Sequence, residues 1–174
     1  MKKLIVTLEY PPQVGGISSY IHNFLLHTKS DEYVLYAPEM PGAKEFDEKN
    51  SWKTYRFNPY FPFWPHWLRI FFQILSIMKT EKISEIHIHQ VLPCGYLAWM
   101  MLKIKKIPYV IFLHGSDVAV GTKNNWKKTL FSFVIRHARR TVVNSRFLEN
   151  KVKQKIEIPG SLTVFYPCPS DHFL

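Results

Sequence analysis

Three places in this sequence gather residue types that do chemistry. The first is Glu9-Tyr10-Pro11-Pro12-Gln13-Val14-Gly15-Gly16-Ile17, where two adjacent glycines precede a helical apolar pattern. A helix N-terminus presents free N–H groups and a partial positive charge, and glycine lets a phosphate reach them with no Cβ in the way. The same pair also serves an ordinary tight turn, and it is not the G-x-G-x-x-G of a nicotinamide or flavin site. The second place is His114-Gly115-Ser116-Asp117, directly after an apolar run. An imidazole there is expected to point into a crevice rather than the core. Asp117 is placed to cap the following turn, to orient the imidazole, or to bind a sugar hydroxyl. In the third, His87 and His89 lie two apart and share a strand face. That spacing suits a metal, but no third ligand is in range and no metal is expected.

These loops need a scaffold, and the periodicity supplies one. Lys3–Leu8 is apolar without alternation, as in a strand buried on both faces. Ile17–His27 has helical spacing, and Tyr33–Tyr36 and Trp52–Phe57 read as strands around a charged loop. A helix is expected from Pro65 to about Lys79, a strand at Glu85–His89 and a helix at Pro93–Lys105. Tyr109–Leu113 and Thr141–Asn144 read as strands flanking a helix at Asn125–His137. Phe147–Lys155 is a helix, and Leu162–Tyr166 a last strand. Strand and helix alternating with short connections predict one Rossmann-like α/β domain over 1–174, a parallel sheet with helices on both faces. Ligands of such sheets bind at the carboxyl ends of the strands, where the three motifs fall.

Length and composition agree. A chain of 174 residues, 47% hydrophobic and 21% charged, buries a core, which excludes disorder, collagen and a disulfide mini-scaffold. Cys94 and Cys168 form no C-x-x-C pair and read as reduced thiols. The N-terminal apolar run stops at Glu9, too short for a signal peptide, and no stretch reaches the 18 or more apolar residues of a spanning helix. A soluble or peripheral cytoplasmic protein is expected. The net charge of +10 is uneven: Lys103 to Lys155 holds 13 basic residues against Asp117 and Glu149. A basic surface favours anionic partners. Nucleic acid is not among them, because stacking aromatics do not interleave with the Lys and Arg.

The three motifs appear in order with Val143-Asn144-Ser145 before a helix and Val164-Phe165-Tyr166-Pro167 with Asp171 and Phe173 near the end. Together they resemble the N-terminal half of family-4-type glycosyltransferases, over essentially the whole chain. The resemblance implies a GT-B enzyme, with two Rossmann-like domains facing each other across a cleft. It implies retaining transfer of a sugar from a nucleotide-diphosphate sugar to a glycan or lipid-linked acceptor in cell-envelope polysaccharide synthesis. Gly15 and Gly16 match the loop that approaches the diphosphate and the reacting sugar. His114 matches the histidine that hydrogen-bonds the transferred sugar, and is the expected catalytic residue. Ser145 matches the small polar residue facing the cleft, and Glu9 a polar residue lining the acceptor side. Helix N-termini and basic residues hold the diphosphate in this family, so no metal cofactor is implied. Tyr166-Pro167-Cys168-Pro169-Ser170-Asp171 departs from the family's closing turn. The nucleotide half, with its pair of spaced glutamates, is not in the sequence. The chain alone is therefore expected to be inactive, and to need that C-terminal domain or a separate subunit. The alternative is a non-catalytic, membrane-associated subunit or remnant that pairs with a catalytic chain.

One helix carries a separate signal. From His66 the polar residues fall at His66, Arg69, Gln73, Ser76 and Thr80, a single narrow stripe on an apolar helix. Phe61, Phe63, Trp64 and Trp67 add aromatics of the kind found at membrane interfaces. Two readings stand: burial in a core or against a further domain, or peripheral contact with the anionic inner face of the plasma membrane.

Overall fold

The computed structural model describes residues 2–58, 66–158, 160 and 162–167. Its residues cluster into two compact units, one running through Ser84 and including Pro167, the other Glu85–Tyr166.

In the first unit, β1 (Lys2–Val6), β2 (Tyr33–Pro38) and β3 (Lys53–Phe57) form a parallel array in the order β3-β2-β1. The register pairs Lys3 with Tyr33 and Pro38 with Phe57. Strand β1 stops two residues before the expected Leu8 because Thr7 turns the chain. Its Oγ1 donates to the Glu9 carbonyl at 2.8 Å and accepts from the Glu9 N–H at 3.1 Å. Helix α1 (Gly16–Leu26) crosses from β1 to β2 and buries Ile17, Tyr20, Ile21 and Leu25, the face that its i, i+3, i+4 spacing predicts. A short α2 (Ala43–Asp47) occupies the charged loop read as irregular; Gly42 enters it at φ 79°, a left-handed backbone that glycine adopts without strain.

Helix α3 (His66–Glu81) settles part of the question the polar stripe raised. Phe71, Ile74, Ile77 and Met78 are buried, whereas Leu68 and Phe72 are exposed, Phe72 at 59%. Of the polar stripe, Gln73 accepts a 2.6 Å hydrogen bond from the Tyr36 hydroxyl, while Ser76 and Thr80 are exposed. The helix is therefore half core, with apolar side chains left on its solvent face. At its end, Glu81 accepts from Lys2, Lys53 and the Tyr55 hydroxyl at 2.8, 2.6 and 2.7 Å, which holds its carboxyl down at about 2. No helix among the described residues is long and apolar enough to cross a membrane.

In the second unit, β4 (Ile83–Ile88, shared across the boundary), β5 (Tyr109–Leu113), β6 (Arg140–Val143) and β7 (Leu162–Val164) pair in parallel in that order. A short helical turn at Val91–Gly95 leads into α4 (Tyr96–Lys105). After β5 come α5 (Gly115–Gly121) and α6 (Asn125–Arg136), and after β6 comes α7 (Arg146–Lys155). All five residues of β5 are buried, as its unbroken apolar run predicts. Helix α5 was not visible in the sequence, since it begins and ends on glycine and holds two valines. Packing explains it: a Cβ at Gly121 would run into the Phe131 ring, itself fully buried. The fold is a Rossmann-like parallel α/β architecture, as expected.

Candidate functional site

Two loops carry the expected residues, one in each unit. In the first unit, the loop after β1 is anchored before its glycines. Tyr10 is fully buried, and its hydroxyl accepts from the Trp52 indole N–H at 3.0 Å. Burial pushes that hydroxyl far above its ordinary range. The Arg56 guanidinium lies over the Tyr10 ring and grips Asp47 with two bonds, Nε–Oδ2 at 2.9 Å and Nη2–Oδ1 at 2.7 Å. It also donates to the Pro38 and Pro11 carbonyls, each at 2.9 Å. One half-buried cation thus ties the loop to the end of β2 and to α2. The Ser18 hydroxyl adds a bond to the Gln13 carbonyl at 2.6 Å.

The loop ends at Gly15, the N-cap of α1, in ordinary extended backbone. Among the described residues no side chain caps the helix, and no acid occupies its first turn. The two glycines differ. A Cβ at Gly15 would sit 3.4 Å from Glu9 Oε2, so the Glu9 carboxylate lies beside the helix start. A Cβ at Gly16 would meet nothing within 4 Å. Nothing in the described residues requires glycine at 16 for packing.

In the second unit, His114 follows β5 and serves as N-cap of α5. Its backbone N–H donates to Asp117 Oδ2 at 3.0 Å, the return half of a capping arrangement. Of the three roles open to Asp117, helix capping is the one this geometry gives. The His114 ring does not open freely to a crevice: it is 5% exposed, with Nε2 3.3 Å from Nδ1 of His89. Burial pushes its pKa down to about 4, so the imidazole is neutral at pH 7. In the sequence, His89 reads as a possible metal ligand and as part of the 87–89 landmark, with no sign of its contact with His114. Strand alternation places it only on the face that its neighbour β5 shares. The described residues bring no three His, Cys, Asp or Glu side chains together at metal-binding spacing.

Ser145 is the N-cap of α7, its Oγ accepting from the Leu148 N–H at 3.2 Å. It is half-buried. Cys94 is a buried thiol pushed up to about 12 by burial, which makes it unreactive. Trp67 is 40% exposed, while Phe61, Phe63 and Trp64 lie outside the described residues, as do Cys168, Asp171 and Phe173.

The model of Glycosyltransferase Family 4 matches residues 14–169 of the chain. An uncharacterized glycosyltransferase of Methanocaldococcus jannaschii is 24% identical over 168 residues, 90% of this chain and 44% of its own length. A GDP-mannose-dependent alpha-(1-6)-phosphatidylinositol monomannoside mannosyltransferase of Mycolicibacterium smegmatis is 43% identical over 54 residues, 30% of this chain and 14% of its own. Among solved structures, Anabaena HepE in complex with UDP and glucose superposes with a TM-score of 0.73 at 15% identity. That match covers 98% of this chain and 45% of HepE. The Thermosynechococcus elongatus sucrose-phosphate synthase gives 0.70 at 11% identity, covering 98% and 49%. The chain spans about half the length of the relatives it matches end to end.

Proposed function

The chain belongs to glycosyltransferase family 4, and on that premise we propose that it is the acceptor-binding side of a retaining GT-B enzyme. That enzyme moves a sugar from a nucleotide-diphosphate sugar to a glycan or lipid-linked acceptor. The observation that carries this reading is the start of α1. Its amides have no side-chain cap among the described residues, and a Cβ at Gly16 would meet none of them within 4 Å. A glycine with no packing reason at a helix N-terminus suits a close-approaching phosphate or sugar. In this reading the Gly15-Gly16 turn supports the diphosphate and reacting sugar. His114 bonds the transferred sugar as a neutral imidazole, and amide and imidazole dipoles stabilise charge as the donor bond breaks. Glu9, beside the helix start, accepts from hydroxyls on the acceptor side. Asp117 and Ser145 shape the loops that hold His114 and the α7 N-terminus. Helix termini and basic residues hold the diphosphate, so the reading needs no metal.

The relatives support the substrate class. The mycobacterial enzyme is named for GDP-mannose and a phosphoinositide, and HepE binds UDP and glucose. A lipid-linked acceptor also suits a peripheral position on the inner membrane face. The exposed Trp67, Leu68 and Phe72 and the basic stretch 103–155 favour that position. The test is donor turnover by the enzyme carrying Gly16→Ala. It should fold as wild type and lose transfer by about tenfold, ~1.4 kcal/mol. Unchanged turnover would remove the turn from the donor site and favour a non-catalytic binding subunit.

A further inference from the structure

Within the second unit, helix α4 carries apolar residues on two faces. Leu97, Ala98 and Met101 are buried. The other face, spaced i, i+3, i+4, i+7, i+8, runs Tyr96, Trp99, Met100, Lys103 and Ile104. Tyr96 is 38% exposed and Ile104 55%, Trp99 and Met100 are half-buried, and Lys103 is exposed. The solvent face of a helix on a parallel sheet should be polar; this one presents rings and hydrocarbon. The rings are held in place. Tyr96 and Trp99 stack at 5.7 Å and 26°, and Phe133 of α6 meets Trp99 edge-on at 5.0 Å. His137 packs on Phe133 at 4.5 Å, and its Nδ1 donates to the Phe133 carbonyl at 2.8 Å.

The charge beside this stripe has one sign. No Asp or Glu occurs between Glu85 and Asp117. Lys103, Lys105 and Lys106 are exposed and pair with no acid among the described residues. Lys103 Nζ lies 5.9 Å from the centre of the Trp99 ring, and Lys106 ends the helix, its N–H donating to the Leu102 carbonyl at 3.0 Å. We propose that this face of α4 docks on an anionic phospholipid surface. Tyr96, Trp99, Met100 and Ile104 enter the boundary between headgroups and acyl chains, and the three lysines meet the lipid phosphates. The assignment rests on the reading that the protein works at the inner membrane face, and it names a contact separate from α3. Charge complementarity selects the occupant. A bilayer offers hydrocarbon and, directly above it, a layer of negative charge, the same two layers that α4 presents. Lysine stems can lie along hydrocarbon while their ammonium groups reach phosphate. A ring with a polar tip, such as Tyr96, favours that boundary.

The test is cosedimentation of the chain with vesicles of phosphatidylcholine and phosphatidylglycerol in equal parts, beside vesicles of phosphatidylcholine alone. Wild type should bind the mixed vesicles and lose most of its binding on the neutral ones. Tyr96→Ser with Ile104→Ser changes exposed side chains only, so the fold should persist by circular dichroism. Its partition coefficient should fall about tenfold at every salt concentration. Lys103→Gln, Lys105→Gln and Lys106→Gln together should lower binding at least about tenfold at low salt and flatten the salt dependence. Wild-type binding by both variants would overturn the assignment to α4 while leaving a membrane contact elsewhere. No binding by wild type at low salt would sink the membrane reading on which the assignment rests. Self-association without vesicle binding, abolished by Tyr96→Ser with Ile104→Ser, would make this face a contact between copies of the chain and overturn the proposal.

Discussion

Arg56 holds Asp47 in a two-bond grip and, with the remaining faces of the same guanidinium, holds the carbonyls of Pro11 and Pro38. This partly buried cation fixes where the loop before Gly15 begins. Lysine cannot reproduce the planar fork. Arg56→Lys should therefore lower stability by about 1–3 kcal/mol, read by chemical unfolding, because it leaves buried acceptors unpaired. A loss below a few tenths would mean that the loop is held elsewhere.

Two glycines should respond in opposite ways. Gly121→Ala forces a methyl into the Phe131 ring and should cost about 1–3 kcal/mol of stability. Gly16→Ala meets open space at a helix start and should leave stability unchanged or raise it by about 0.5 kcal/mol. Thermal and denaturant unfolding of the two variants side by side distinguish packing from substrate approach. Equal destabilisation would mean that Gly16 is a packing glycine after all.

His114 makes stability depend on pH in a defined direction. Its pKa is about 4 in the fold against 6.5 for a free imidazole, with His89 and the Asp117 carboxylate beside it. The unfolded chain therefore takes up the proton first as pH falls. Stability from this group is complete above about pH 6.5 and is lost as pH drops toward 4, by up to about 3 kcal/mol. His89, also pushed down by burial, acts in the same sense. Denaturant unfolding of wild type and His114→Asn from pH 8 to 4 should show a shallower acid slope in the variant. Parallel slopes would contradict the depressed pKa.

The solvent face of α3 carries the membrane prediction. Trp67, Leu68 and Phe72 are exposed, and the stretch 103–155 is rich in Lys and Arg. Apolar burial in a lipid interface is insensitive to salt, whereas attraction of lysine to anionic headgroups is screened over about 8 Å at physiological ionic strength. Cosedimentation with anionic vesicles should weaken but persist as salt rises, and replacing Trp64 and Trp67 by Ser should lower it at every salt concentration. No binding even at low salt would assign α3 to a protein interface.

The strands and long helices were legible because each has one dominant signal. The apolar run Tyr109–Leu113 and the 3.6-residue spacing of Ile17, Tyr20, Ile21 and Leu25 leave little choice. Helix α5 was hidden because its propensities oppose it, and tertiary contact with Phe131 overrides them. Within the polar stripe of α3, the partner of Gln73 was not legible, because its bond to Tyr36 joins residues far apart in sequence. At the site, His114 and the glycines stood out by motif. The Arg56 clamp and the His89 contact did not, since they join residues distant in sequence through long-range geometry.

The role proposed for this chain is to supply sugar-contacting groups to a nucleotide-sugar-dependent transferase, His114 first among them. Residues 1–174 alone should show no transfer. The direct measurement is kcat/KM for sugar transfer by the enzyme containing this chain, His114→Ala against wild type, with folding confirmed for both. The expected result is a loss of at least about tenfold, ~1.4 kcal/mol of transition-state stabilisation. Wild-type kcat/KM in the folded variant would contradict it.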